Sequence, residues 1–238
     1  MLLRLLALIW ILFLLTACAS TGPGYDNALT IEDLLPHERV LSIDGREIIT
    51  LDGSTCYTIL EENGVTFEKV DKAKGVQFPI RTNSPLGGVK FNYLYDSDTY
   101  SIMDCRLAVA LIEWGALLAD YGVREVGHMR TYSPGAKVRG GRKKSGHSRA
   151  MAIDAAAFIF RNGELWKIEE DWSDRRRKVK PCKPGRRDRT GRLKRLRDIT
   201  CKTADLNLFQ VILTPHYNRA HHDHLHLELD WKESGIIR

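Results

Sequence analysis

The chain has 238 residues, enough for one compact domain with short extensions. Hydrophobic residues make up 43% and charged residues 28%, a balance that excludes a disordered polymer. The net charge is +6, but the segment 174–198 alone holds thirteen Lys and Arg against three Asp, so the rest of the chain is net negative. The basic character therefore belongs to one segment, which is called the basic insert below.

Residues 1–17 read as a lipoprotein signal peptide. Arg4 precedes an apolar run from Leu5 to Leu15 that is too short to span a bilayer but has the length of a signal-peptide core. The run ends in Leu15-Thr16-Ala17-Cys18, which resembles the lipobox of bacterial lipoproteins and implies lipidation of Cys18. The alternative is an ordinary secretory signal followed by a chance cysteine.

The lipobox resemblance implies a protein anchored in the cell envelope through its lipid. The residue after Cys18 is Ala19 and not Asp. In this the sequence resembles lipoproteins that are sorted to an outer membrane and face the periplasm. Residues 18–27 are the cysteine and a short tether rich in Ser, Thr, Gly and Pro. The remaining residues, 28–238, are expected to form the domain.

Four further cysteines are expected to be oxidised in such an envelope. Three pairings are possible, and we favour Cys182–Cys201, which would staple the basic insert, together with Cys56–Cys105. A mixture of free and paired thiols is the alternative. No Cys-x-x-Cys spacing is present, so these cysteines are not expected to bind zinc.

The domain is expected to begin with strands and to continue with a helix. Residues 28–100 read as short strands without a catalytic pattern, separated by turns at Gly45, Asp52-Gly53, Asn63-Gly64 and Pro85-Leu86-Gly87-Gly88. A capping box, Ser101-x-x-Asp104, then introduces apolar residues at near-helical spacing and predicts a helix over Ser101–Tyr121. The stretch Val123–Thr131 alternates as a strand would, with His128 and Arg130 on one face.

His147 and Asp154, seven residues apart, are the first candidate metal ligands. Asp154 lies in the otherwise apolar strand predicted over Ala152–Phe160, where a carboxylate is costly to bury without a partner. A metal cation would be such a partner, and His147 stands at the rim of the strand. The alternative is a salt-bridged structural Asp with a surface His.

The basic insert contains Pro and Gly and reads as a loop, with a helix from Leu193 onward. Its charge would attract an anionic envelope polymer or acidic lipid. A solvated loop is the alternative. Nucleic acid is not an expected partner of an exported lipoprotein, and no aromatic residues interleave with this run.

The most informative stretch is a histidine cluster, since five of the eight histidines lie within 216–226. Read as a strand, the stretch points Leu225, Leu227 and Leu229 into a core. Four polar side chains then face a common space on the other side: His222, His224, His226 and Glu228. Neutral imidazoles presented in a row suit a divalent metal, with further ligands coming from elsewhere in the chain.

Together, Ser145-x-His147-x6-Asp154 and His224-x-His226 resemble the zinc peptidoglycan peptidases. That group holds the D-alanyl-D-alanine carboxypeptidases and dipeptidases, the penicillin-insensitive murein endopeptidases, the lysostaphin-type endopeptidases and the hedgehog zinc domain. A closer match, over residues 55–231, is the bacterial extensin-like C-terminal domain family. It rests on Cys105-Arg106-Leu107-Ala108, Trp114, Asn162-Gly163, Asp171-Trp172 and the run from Val211 to His226, in addition to the ligand motifs. The family's Tyr-x-Cys-Arg reads Tyr132-Ser133-Pro134-Gly135 here.

The resemblance implies an α+β fold in which a small antiparallel sheet carries a zinc site and helices pack behind it, as in the D-Ala-D-Ala carboxypeptidase and hedgehog folds. It also implies that His147, Asp154 and His226 bind Zn²⁺ and leave one position for water. The candidate general bases are His224, His221 and Asp223. His224 and His221 match active-site histidines of the endopeptidases, and Asp223 stands where the carboxypeptidases carry Glu.

Arg130 or Arg139 would stabilise an oxyanion or bind a substrate carboxylate, or be merely solvated. The expected function is a zinc metallopeptidase acting on peptidoglycan stem peptides or crosslinks. A non-catalytic module that binds the cell wall or has a structural role in the envelope is the rival interpretation.

Overall fold

The computed structural model describes residues 40–95, 98–138, 141–172, 180–183, 191–232 and 235–238. The predicted signal peptide, Cys18 and the tether lie outside the described residues, and so does Arg139. Across the described ranges, no helix combines the length and the hydropathy needed to cross a membrane.

The described residues form an α+β structure of five α-helices and ten strands. The helices are α1 (Gly45–Thr50), α2 (Gly53–Glu62), α3 (Cys105–Asp120), α4 (Ile168–Asp171) and α5 (Gly191–Asp205). The strands are β1 (Glu68–Lys69), β2 (Pro79–Arg81), β3 (Lys90–Tyr93), β4 (Met103–Asp104), β5 (Val123–His128), β6 (Ala152–Phe160), β7 (Leu165–Lys167), β8 (Val211–Leu213), β9 (Leu225–Glu228) and β10 (Ile236–Ile237). Short 3-10 helices cover Asp98–Ser101, Gly146–Arg149 and Arg219–His221.

The main sheet is larger than expected and is mixed. Its strand order is β10-β8-β9-β6-β5-β3, with β7 also paired to β6, and β1, β2 and β4 form a separate small sheet. The central pairs around β6 are antiparallel as predicted, but β3–β5 and β8–β10 are parallel. The parallel pair β3–β5 arises because α3 lies between these strands in the chain and allows the crossover that parallel strands require.

The predicted helix behind the sheet is α3, but it begins at Cys105 and not at Ser101. Ser101 belongs to a 3-10 helix, and Asp104 caps α3 by accepting a hydrogen bond from the backbone N–H of Arg106. Trp114 of α3 packs against Phe91 of β3 and Phe158 of β6, with ring centroids 5.7 and 6.4 Å apart. The helix therefore covers one face of the sheet and leaves the other to the polar residues.

The prediction of strands and turns before residue 100 was wrong for residues 45–62, which form α1 and α2. Asp44 and Glu47 make a reciprocal capping box at the start of α1, and Asp52 accepts a hydrogen bond from the N–H of Thr55 at the start of α2. Each cap satisfies backbone donors that a short helix would otherwise leave unpaired. The glycines that read as turns, Gly45 and Gly53, are the first residues of these helices.

Both favoured disulfides are confirmed. Cys56–Cys105 links α2 to α3, and Cys182–Cys201 links the described part of the basic insert to α5. Arg197 supports the second link, since its Nε donates to the carbonyl of Pro181 at 2.8 Å. The predicted helix in the insert is α5, and residues 173–179 and 184–190 of this region lie outside the described residues.

Candidate metal centre

His147, Asp154 and His226 bring three potential ligand atoms together at the polar face of the sheet. His147 Nε2 lies 2.9 Å from Asp154 Oδ1 and 3.1 Å from His226 Nδ1, and that Nδ1 lies 2.9 Å from the same Asp154 oxygen. All three side chains are buried. Among the described residues, this is the group of His, Cys, Asp and Glu side chains whose geometry could hold a metal ion.

Asp154 and His226 meet because they are cross-strand partners in the antiparallel pair β6–β9. Asp154 can face the site only because β6 contains a bulge at Ala156, where Gly127 and His128 of β5 pair with Ala157 and Ala155. The extra residue reverses the alternation, so Ile153 before the bulge and Phe158 after it both lie in the hydrophobic core. Without the bulge, Asp154 would share a face with Phe158.

His147 reaches the site from the 3-10 helix that precedes β6. The Ser145 side chain caps this helix by accepting from the His147 N–H, and Ala150 ends it with a left-handed φ of 53° that turns the chain into the strand. The His147 carbonyl also accepts a hydrogen bond from the Ser133 N–H at 2.9 Å. This ligand candidate therefore lies on a turn that several hydrogen bonds anchor.

The donor set fits a divalent metal ion. His147 Nδ1 lies 3.2 Å from the carbonyl of Thr131, and His226 Nε2 lies 3.0 Å from Glu228 Oε2. When those nitrogens carry the protons, the remaining nitrogens present lone pairs to each other and to a carboxylate, and a cation is needed among them. Ligand atoms around a tetrahedral ion lie roughly 3.3 Å apart, close to the separations in this cluster.

When no metal is bound, the hydrogen bonds within the cluster shift the pKa values of Asp154 and His226 in opposite directions. Burial alone would raise the pKa of Asp154, but the neighbouring His147 and hydrogen bonds to His147 and His226 hold that pKa well below its usual range. Burial alone would lower the pKa of His226, but its hydrogen bonds to Asp154 and Glu228 outweigh this and raise the pKa to about 9. A metal ion bound at His226 Nδ1 would therefore have to displace a proton.

His224 and Asp223 form a hydrogen-bonded pair beside the cluster. Asp223 Oδ1 lies 2.7 Å from His224 Nδ1, and His224 Nε2 lies 3.4 Å from Asp154 Oδ1. Strict alternation would have turned Asp223 toward the core, but β9 begins only at Leu225, so Asp223 is free to reach its neighbour. His222, also expected on the strand face, is half-buried and lies 3.6 Å from Glu169 and 3.7 Å from Asp223 Oδ1.

The third candidate base, His221, packs against both histidines of the motif. Its ring centroid lies 5.2 Å from that of His224 and 5.8 Å from that of His226. Burial, followed by the nearby His226 and His224, lowers its pKa to about 4, so His221 is neutral at pH 7. Asn218, which the sequence did not single out, orients its ring through a 2.8 Å contact with Nδ1.

The cluster opens onto a cavity of about 500 Å³. Four cationic side chains line this cavity: Arg130, Lys137, Lys143 and Arg238. Arg130 Nε lies 3.0 Å from Asp154 Oδ2, the oxygen that does not contact the two histidines of the cluster. His128, which was predicted to share a strand face with Arg130, is buried and packs against Tyr93. Apolar side chains, among them Val211 and Leu213, form much of the remaining wall.

The model of the extensin-like protein C-terminus family matches residues 54–237, which include every residue of the cluster. This match covers well over half of the chain. The chain belongs to the extensin-like C-terminal family. No curated protein and no solved structure matches it.

In this extensin-like domain the sequence motifs identified the ligand candidates and placed Glu228 on their face, but they missed Thr131 and Arg149. Thr131 acts through a backbone carbonyl, which carries no sequence signal. Arg149 stands two residues after His147 and lies 3.5 Å from Glu228, so its spacing within the ligand motif could have suggested a role.

Proposed function

We propose that this extensin-like protein is a zinc-dependent peptidase that acts on peptidoglycan stem peptides or their crosslinks. The observation that carries the proposal is the buried cluster of His147, Asp154 and His226, which opens onto a cavity beside the Asp223–His224 pair. Three protein ligands with one open position are typical of catalytic zinc sites, whereas structural sites are closed by four.

His147 Nε2, Asp154 Oδ1 and His226 Nδ1 would hold the zinc ion. When bound, the ion supplies a Lewis acid that polarises a carbonyl group and lowers the pKa of a water molecule to about 7. His224 is the best-supported general base. Asp223 can accept a hydrogen bond from its Nδ1–H, and Nε2 then carries a lone pair beside the ligands. His221 is the second candidate, although its pKa of about 4 makes it a weaker base.

The cationic wall of the cavity supports a carboxylate-bearing substrate. Arg130, Lys137 and Arg238 line the cavity, and its described acidic side chains are Asp154, a ligand candidate, and Glu228, which contacts a ligand candidate. Guanidinium and ammonium groups bind carboxylates by charge-assisted hydrogen bonds. Stem peptides of peptidoglycan carry such carboxylates, and the predicted envelope location would bring the protein to them.

The test is release of peptides from purified peptidoglycan by the full-length chain in mild detergent, followed by mass spectrometry. We expect zinc-dependent release that chelation and His226→Ala abolish, and the product masses would identify the bond. His222→Ala is the matched control for zinc binding, because His222 is a half-buried histidine of the same stretch that lies 3.6 Å from Glu169 and 3.7 Å from Asp223 and is not a ligand candidate. Release that persists in the His226→Ala variant would refute the assignment.

A non-catalytic module that binds the wall is the second candidate. It is favoured by the replacement of the family's Tyr-x-Cys-Arg with Tyr132-Ser133-Pro134-Gly135. In that case the zinc-loaded protein would sediment with peptidoglycan and release no peptide.

A further inference from the structure

Glu228 lies directly behind His226, on the side away from the ligand cluster. The two residues are next-but-one neighbours on β9, so their side chains share a face of the sheet. Glu228 Oε2 is 3.0 Å from His226 Nε2, and the opposite ring nitrogen, Nδ1, faces Asp154 and His147. A carboxylate in this place accepts a hydrogen bond from Nε2–H and leaves Nδ1 with a free lone pair.

A second layer of charged side chains holds the Glu228 carboxylate. Arg149 Nη2 lies 3.5 Å from Glu228 Oε1 and 3.7 Å from Asp230 Oδ2, so it bridges the two acids. Lys143 Nζ lies 3.4 Å from the same Asp230 oxygen. Glu228 and Asp230 are both buried, and buried carboxylates persist where cations and hydrogen bonds compensate them.

Gly146 makes room for this carboxylate. A Cβ atom added at Gly146 would lie 2.5 Å from Cδ and 2.6 Å from Cγ of Glu228, closer than such atoms approach in proteins. The backbone of Gly146 is not in the left-handed region, so an alanine could adopt its conformation. What requires glycine at this position is therefore space and not backbone freedom.

We propose that Glu228 is a positioning residue that fixes His226 in the tautomer whose Nδ1 binds the metal, and that Gly146 is needed because it admits the Glu228 side chain behind that ring. This inference rests on the proposed metal site. In this arrangement Gly146, the residue before His147, affects the orientation of His226 through Glu228. Arg149, which bridges Glu228 and Asp230, restrains Glu228 in the same arrangement.

The test is the zinc affinity of the metal-free full-length chain in detergent, measured by competition with a chromophoric chelator. Loss of such an orienting partner typically weakens metal binding 10- to 100-fold. We expect this loss for Glu228→Gln, which keeps the size of the side chain, and a similar loss for Gly146→Ala. In a Glu228→Ala background, where no side chain remains to be displaced, Gly146→Ala should change the affinity less than about twofold.

Two further readouts separate this inference from the function proposed above. Circular dichroism establishes that the variants fold, and ¹⁵N shifts of the His226 ring should show Nε2 protonated in the zinc-loaded parent. If the parent binds zinc and Glu228→Gln binds it equally well, the positioning role is refuted while the metal site stands. If Gly146→Ala weakens binding equally in both backgrounds, the role assigned to Gly146 is wrong. If the parent binds no zinc, the metal site itself fails.

Discussion

The proposed metal site predicts a measurable proton release, because a metal ion that binds His226 would displace a proton from its ring. In the metal-free protein the pKa of His226 is about 9, so the ring is about 0.9 protonated at pH 8 and about 0.25 protonated at pH 9.5. Binding of a metal ion at Nδ1 must remove that proton. Asp154, whose pKa is far below neutral, is already ionised and contributes nothing. The release should therefore fall by roughly half a proton between these two pH values.

The assay is isothermal titration calorimetry at each pH in three buffers with different ionisation enthalpies, with zinc supplied as a weak chelate. The slope of the observed enthalpy against the buffer enthalpy gives the number of protons released. A zinc-bound water with a pKa of about 7 would be almost fully ionised at both pH values, so it would change the difference by only about 0.1 proton. His222→Ala should reproduce the parent. A release that is the same at pH 8 and pH 9.5 would refute the assignment of His226 as the protonated ligand.

Three further outcomes are expected. His224→Ala should slow peptide release by about 10²- to 10⁴-fold and leave zinc affinity within about threefold, and a normal rate would exclude His224 as the base. Cys182→Ser with Cys201→Ser should lower the free energy of unfolding by about 3 kcal/mol, and an unchanged urea midpoint would contradict this. The metal-free protein should lose stability as pH rises from 6.5 to 9, because His226 has a higher pKa folded than unfolded and its stabilising proton is lost in that window. Melting temperatures of the parent and of His226→Gln would test this, and equal slopes would argue against it.

The candidate site could be predicted because its chemistry is local in sequence. Alternation along β9 correctly placed Leu225 and Leu227 in the hydrophobic core and His226 and Glu228 on the polar face of the sheet. It failed for His222 because the strand is only four residues long and a turn precedes it. Asp154 was identifiable because a carboxylate in an apolar strand needs a partner.

Other features depend on contacts that no local pattern encodes. The bulge at Ala156 depends on how β5 pairs with β6, and the alanines around it carry no distinguishing signal. The helices α1 and α2 were missed because their glycines read as turns, although Asp44 and Asp52 are good caps in retrospect. Parallel pairing at the sheet edges joins segments far apart in the chain, so it could not be inferred from either segment alone.

The choice between a peptidase and a wall-binding module depends on whether His224 is a base or a fourth ligand. His224 Nε2 lies 3.4 Å from Asp154 Oδ1, so both roles are within reach of a small rotation. A fourth imidazole would close the site and make it structural, and its removal would then weaken zinc binding by orders of magnitude. If His224 is instead a base that is hydrogen-bonded to Asp223, its removal would leave the zinc affinity nearly unchanged and would stop catalysis. The cavity of about 500 Å³ with its cationic wall favours the open site, because a metal that only stabilises the fold has no need of such a cavity.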